Sequence, residues 1–185
     1  MMLRLARISR RFAASTRGVA AIEFAMVLPV LAVIFLATID GGRALAAYMK
    51  VRAATYALGA IANQYATIQS TDMTAILGAS SVVMAPYNSA TPAVTISQIK
   101  INGSGVAKIE WSATQGGTAR TVGSTMTVPT GVNANSSYLI FAEVSYTYSP
   151  LFGFFGSGGL TLSDNLYTTP RSVSCIVYIP QSTTC

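Results

Sequence analysis

Hydrophobic and polar positions divide the chain into three stretches. Residues 19–39 read VAAIEFAMVLPVLAVIFLATI, an apolar run broken only by Glu23, Pro29 and Thr38. As a helix rising about 1.5 Å per residue, this run is roughly 30 Å long, the hydrocarbon thickness of a bilayer. Beyond Gly41 and Gly42 the pattern becomes Ala44, Tyr48, Val51, Thr55, Leu58, Ala62, Tyr65 and Ile68. Steps of three and four lay one stripe along a helix, so the periodicity predicts that the helix continues to about Ile68. Such a stripe needs a partner. The favoured one is the chain's own later strands, and the other is a neighbouring helix.

From about Ser70 the composition turns to Ser, Thr, Gly, Asn and Val, and apolar residues come in short runs between turn signals. Strands are expected at 93–101, 106–113, 138–148 and 172–179, with Asn102-Gly103-Ser104-Gly105 as a hairpin connection between the first two. The expected fold is α+β: a long N-terminal transmembrane helix continuing outward, followed by a small antiparallel β-sheet domain. The corresponding divisions are a basic leader at 1–18, a span at 19–40, an amphipathic continuation at 41–69 and a β-rich extracytoplasmic domain at 70–185. The Gly-rich apolar stretch at 152–160, FGFFGSGGL, falls between strands. It has two readings, aromatics capping the sheet or a contact with membrane or partner, and the first is favoured.

Charge sharpens the membrane reading. The chain is 51% hydrophobic and 10% charged, far below the roughly 25% charged content of soluble domains. Arg4, Arg7, Arg10, Arg11 and Arg17 all precede the first acid, Glu23. An arginine-rich, acid-free leader places the N-terminus in the cytoplasm and the domain beyond Asp40 outside. A secretory signal peptide also pairs a basic start with an apolar stretch, but its apolar core is usually about 7–15 residues, shorter than this one. Downstream of Gly18 the basic residues Arg43, Lys50, Arg52, Lys100, Lys108, Arg120 and Arg171 nearly balance the six acids, which argues against a nucleic-acid module.

Catalytic chemistry lacks its usual parts. The chain has no His, which removes Ser-His-Asp and Cys-His nucleophiles and His-containing zinc sites, and two cysteines cannot build a Cys-only one. No Lys-Ser/Thr follows the glycines of the 152–160 loop, so it is no phosphate cradle. Glu110 and Glu143 lie on separate expected strands with no spacing that pairs them. No catalytic residue, metal or cofactor is assigned, and the protein is expected not to be an enzyme.

Pro29 removes one backbone hydrogen bond inside the span and can kink it. Glu23, a carboxylate within an apolar run, is costly there; it either carries a function or snorkels to the cytoplasmic interface. Cys175 and Cys185 suit a disulfide closing a terminal loop in an oxidising compartment, with two free thiols as the alternative.

The run Arg17-Gly18-Val19-Ala20-Ala21-Ile22-Glu23-Phe24 resembles a type IV prepilin processing site, in which a dedicated peptidase cuts after Gly and the mature chain carries Glu at its fifth position. Pro29, Asp40, Gly42-Arg43 and Tyr48 extend the likeness from about Arg17 to Tyr65, and the whole resembles TadE-like pseudopilins of the Flp/Tad tight-adherence system. A weaker match follows in Val144 to Tyr148, Pro150-Leu151-Phe152 and Pro170-Arg171-Ser172. Asp40 with Gly41 departs from the commoner Glu and aromatic.

The resemblance implies processing between Gly18 and Val19. It also implies an assembly role for Glu23 with Phe24, the Glu pairing with the new amine of Val19 on an adjacent subunit. Implied partners are inner-membrane lipid, the prepilin peptidase, other pilins and Tad assembly proteins. The implied function is a minor pilin assisting pilus biogenesis and surface adherence. The alternative is an uncleaved single-pass envelope protein with a ligand-binding β domain.

Overall fold

The computed structural model describes residues 17–87, 91–153, 159–182 and 184. The leader up to residue 16, the centre of the Gly-rich stretch (154–158) and Cys185 lie outside the described residues. By its contacts the chain divides into two compact units, Met1–Gly42 and Arg43–Cys185.

Helix α1, Arg17–Ala62, runs through both units with Pro29 inside it. In the first unit every residue from 18 to 35 is exposed, including Val27, Leu28, Leu31 and Phe35. A helix that is apolar on all sides and exposed on all sides matches lipid rather than water. It is long and apolar enough to cross a membrane.

In the second unit the same helix becomes one-sided. Ala44, Ala47, Val51, Ala54, Thr55, Leu58 and Ala62 are buried, while Leu45, Met49, Arg52 and Tyr56 are exposed. The buried stripe joins one hydrophobic core with Ile96, Trp111, Ile140, Val144 and Tyr146 of the sheet. The expected stripe therefore packs on the chain's own strands. Thr55 stays buried at no hydrogen-bonding cost, because its hydroxyl donates to the Val51 carbonyl at 3.0 Å.

The helix stops at Ala62, short of the expected Ile68. Asn63 N–H still bonds Gly59 O, and the chain then turns into a two-residue strand β1, Thr67–Ile68. Ile68 remains buried because the alternation of a strand happens to continue the stripe. A second helix, α2 (Ser70–Met84), follows where β structure was expected. The Asp72 carboxylate accepts the Gln69 N–H at 3.0 Å at its start, and the buried Met73, Ile76, Leu77, Ser80 and Met84 give it a helical face.

The main sheet has strands β2 (Ala93–Ile101), β3 (Ala107–Gln115), β4 (Thr125–Met126), β5 (Ser137–Tyr148) and β6 (Leu160–Thr168). Its order is β4-β3-β2-β5-β6, with every neighbouring pair antiparallel. The Asn102–Gly105 turn joins β2 to β3 as expected. The Asn102 side-chain oxygen accepts from Ser104 and Val106 N–H, and Gly105 takes a positive φ of 78°. One sheet face carries the core against α1. Part of the other face holds a smaller cluster of Ile99, Ile101, Ile109, Leu139 and Phe141.

The strand expected at 172–179 is reduced to β7, Val177–Tyr178, which pairs in parallel with β1. The rest of that segment is bound by side chains. Gln98, fully buried on β2, accepts from Ile176 N–H at 2.7 Å, and Trp111 Nε1 donates to Ile176 O at 2.8 Å. Gln181 brackets the backbone of Ser112 with bonds of 3.0 and 2.9 Å.

Candidate processing and assembly segment

Gly18, Val19, Glu23 and Phe24 occupy the first two turns of α1. The Gly18–Val19 bond lies in the first described turn of the helix. The helix offers no acidic residue in that turn to complement its positive end. A Cβ at Gly18 would meet nothing within 4 Å. Packing thus gives no reason for glycine there, although glycine costs a helix interior about 1 kcal/mol relative to alanine. Gly59 is different: its Cβ would lie 3.0 Å from Leu166 Cδ2.

Val19 and Glu23 are one helical turn apart on the same face, and both are exposed. Phe24, adjacent in sequence, is exposed as well and points to a neighbouring face of the helix. The segment therefore presents an apolar surface with a single carboxylate near the start. Asp40, by contrast, is buried.

The remaining predicted residues belong to the second unit. Cys175 is buried and disulfide-bonded. No described cysteine is free, and Cys185 lies outside the described residues. The Gln98 amide donates to Cys175 Sγ at 3.4 Å, which places the cysteine beside the tail contacts just described.

Glu110 and Glu143 line separate grooves. Glu143 is held by Arg120 in a two-pronged pair, Nε at 2.9 Å and Nη2 at 2.7 Å. Arg120 also lies over the Phe141 ring, 5.2 Å from its centre, and Phe141 stacks on Tyr167. This pair fastens the connection after β3 to the outer sheet face. Sequence spacing gave no sign of it, because Arg120 lies in a connection with no periodic pattern.

Residues 18–59 match the family model of TadE-like proteins. No curated protein matches the chain. No solved structure matches it either. The matched segment takes in the membrane-type half of α1 and most of the stripe that carries the sheet, the region where Gly18, Glu23, Pro29 and Asp40 had already pointed. Over this N-terminal helix the match supports a TadE-like protein of the Tad pilus system.

Proposed function

We propose that the protein is a membrane-anchored minor pilin, or pseudopilin, that assists assembly of a Flp/Tad-type pilus and thereby surface adherence, and that a prepilin peptidase cuts it after Gly18. Its work is assembly and not catalysis. The anchor lies in the inner membrane with the N-terminus cytoplasmic and the β-rich domain outside, in keeping with the arginine-rich leader. The observation that carries the reading is a glycine without a packing role at the start of an exposed apolar helix, followed five residues later by an exposed carboxylate.

Cleavage there removes the five leader arginines and leaves Val19 with a free amine, one turn from Glu23. An amine and a carboxylate brought together between adjacent helices neutralise each other, where either alone in lipid is costly. Other pilins and Tad assembly proteins are the partners such a pair would join.

Intact mass and N-terminal sequencing of protein from its native membrane test the reading. The expected mature chain starts at Val19 and is lighter than the precursor by ~2 kDa, the mass of a leader of this size. A bulky substitution, Gly18→Leu, is expected to abolish that shift. A wild-type chain that keeps its leader would overturn processing and leave an uncleaved envelope protein.

A further inference from the structure

At the exit of β3 the chain turns back on the sheet. Gly116 takes a positive φ of 71°, and a Cβ on it would lie 3.0 Å from the Pro92 carbonyl oxygen. The segment that follows lies over the sheet face that looks away from α1, and two contacts of Arg120 fix it there. Its N–H donates to the Ser112 hydroxyl at 3.0 Å, and its guanidinium forms the two-pronged pair with Glu143.

Between this segment and the strands lies a groove of about 440 Å³. Its floor is two rungs of the sheet, Thr95–Glu143–Asn165 and Ala93–Ser145–Ser163, each running across β2, β5 and β6. The next rung on the same face carries Phe141 stacked on Tyr167, ring centres 4.3 Å apart. Successive rungs of one face are two residues apart, so from Tyr167 to Ser163 the face extends roughly 13 Å.

The chemistry of the groove is polar and balanced. Glu143 and Arg120 are 31% and 37% exposed, and each keeps hydrogen-bonding capacity beyond their mutual pair. Asp164 borders the groove, but strand alternation turns its side chain to the α1 face with Leu166, where its charge acts on Arg52. Among the described residues, the side chains of Thr118, Ser145, Ser163 and Asn165 make no hydrogen bond within the chain. Thr118, Ser163 and Asn165 are exposed.

These properties narrow the ligand. An anion would find its guanidinium already neutralised by a carboxylate, and a cation would find that carboxylate already neutralised. Sites for apolar small molecules are lined mainly by hydrophobic and aromatic side chains, and this groove is lined mainly by polar ones. What remains is an uncharged molecule with many groups that both donate and accept. A pyranose ring has adjacent hydroxyls of that kind, and its C–H face suits an aromatic neighbour such as Tyr167.

We propose that this groove binds a neutral glycan chain. Arg120 is held in place at both its backbone and its side chain, so little ordering is required when the ligand arrives. The site belongs to the second unit by itself. Neither cleavage after Gly18 nor membrane insertion enters it, and it goes beyond the assembly reading.

The test uses the full chain in phosphatidylcholine nanodiscs, applied to an array of oligomers of glucose, mannose, galactose and N-acetylglucosamine beside heparin and polysialic acid. Saturable binding to at least one neutral oligomer is expected. Asn165→Ala should weaken it roughly tenfold, as the loss of one well-placed hydrogen bond does. Ser163→Lys should abolish it by filling the groove, and Glu110→Gln, in a separate groove, should bind as the parent does. Circular dichroism checks that each variant folds, and Asn165→Ala decides if Ser163→Lys does not. Binding to no neutral oligomer, binding to the acidic glycans alone, or parental binding by the groove variants overturns the proposal. N-terminal sequencing reads processing separately, so the assembly reading stands or falls on its own result.

Discussion

Glu23 is the residue whose cost must be accounted for. A carboxylate at the centre of a membrane helix costs about 2.5–3.5 kcal/mol on insertion scales, and less near an end, where the side chain can reach water. Glu23 lies on an exposed face of the helix, and on the proposed reading its counter-charge is the Val19 amine of an adjacent subunit. Glu23→Ala is expected to leave cleavage intact and to abolish or sharply reduce piliation, read by N-terminal sequencing and electron microscopy side by side. Normal pili on Glu23→Ala cells would refute the pairing. On the proposed reading, Gly18 and Glu23 separate two steps, and the paired readouts of cleavage and piliation tell them apart.

Among the elements, α1 shows how one continuous helix answers two solvents. Its first half has no preferred face, and its second half keeps small residues, Ala44, Ala47, Ala54 and Gly59, where the sheet comes close. Gly59→Leu should destabilise the folded chain by about 1–3 kcal/mol, because the added atoms would overlap Leu166 and Ala142. Gly59→Ala should change little, since a helix-propensity gain of up to about 1 kcal/mol opposes a contact that Leu166 can relieve only by shifting. Thermal unfolding followed by circular dichroism checks both, and a leucine variant as stable as wild type would show that helix and sheet are less tightly apposed than described.

The stripe of α1 was legible in the sequence because burial on one side forces a period of three to four. Strand β2 was legible to the residue, and β5 and the Asn102–Gly105 turn nearly so, for the same reason: buried alternation and turn chemistry are local. Helix α2 was not, because its Ser, Thr and Val content reads as strand while its helical face shows only once Met73, Ile76, Leu77, Ser80 and Met84 are known to be buried together. Strand β6 escaped because it is an edge strand, half exposed and rich in polar residues, so it carries little alternating signal. The segment at the start of α1 was recognisable by its residues alone. Only the structure added that Gly18 packs against nothing.

For the whole molecule, closure of the second unit depends on contacts distant in sequence. Ile176 accepts from the Trp111 indole and donates to the Gln98 side-chain oxygen, and β7 completes β1. Buried polar groups left without partners cost about 1–3 kcal/mol each. Deleting residues 176–185 should therefore leave a chain whose second unit is readily digested by a dilute protease under conditions that spare the full-length protein. Equal resistance of the two would show that the tail is an ornament. Because a ribosome makes the chain from its N-terminus, α1 and the main sheet exist before the segment that closes over Trp111. Closure of the second unit thus waits on completion of the chain: a product broken off before Ile176 lacks the backbone groups that meet Trp111 and Gln98.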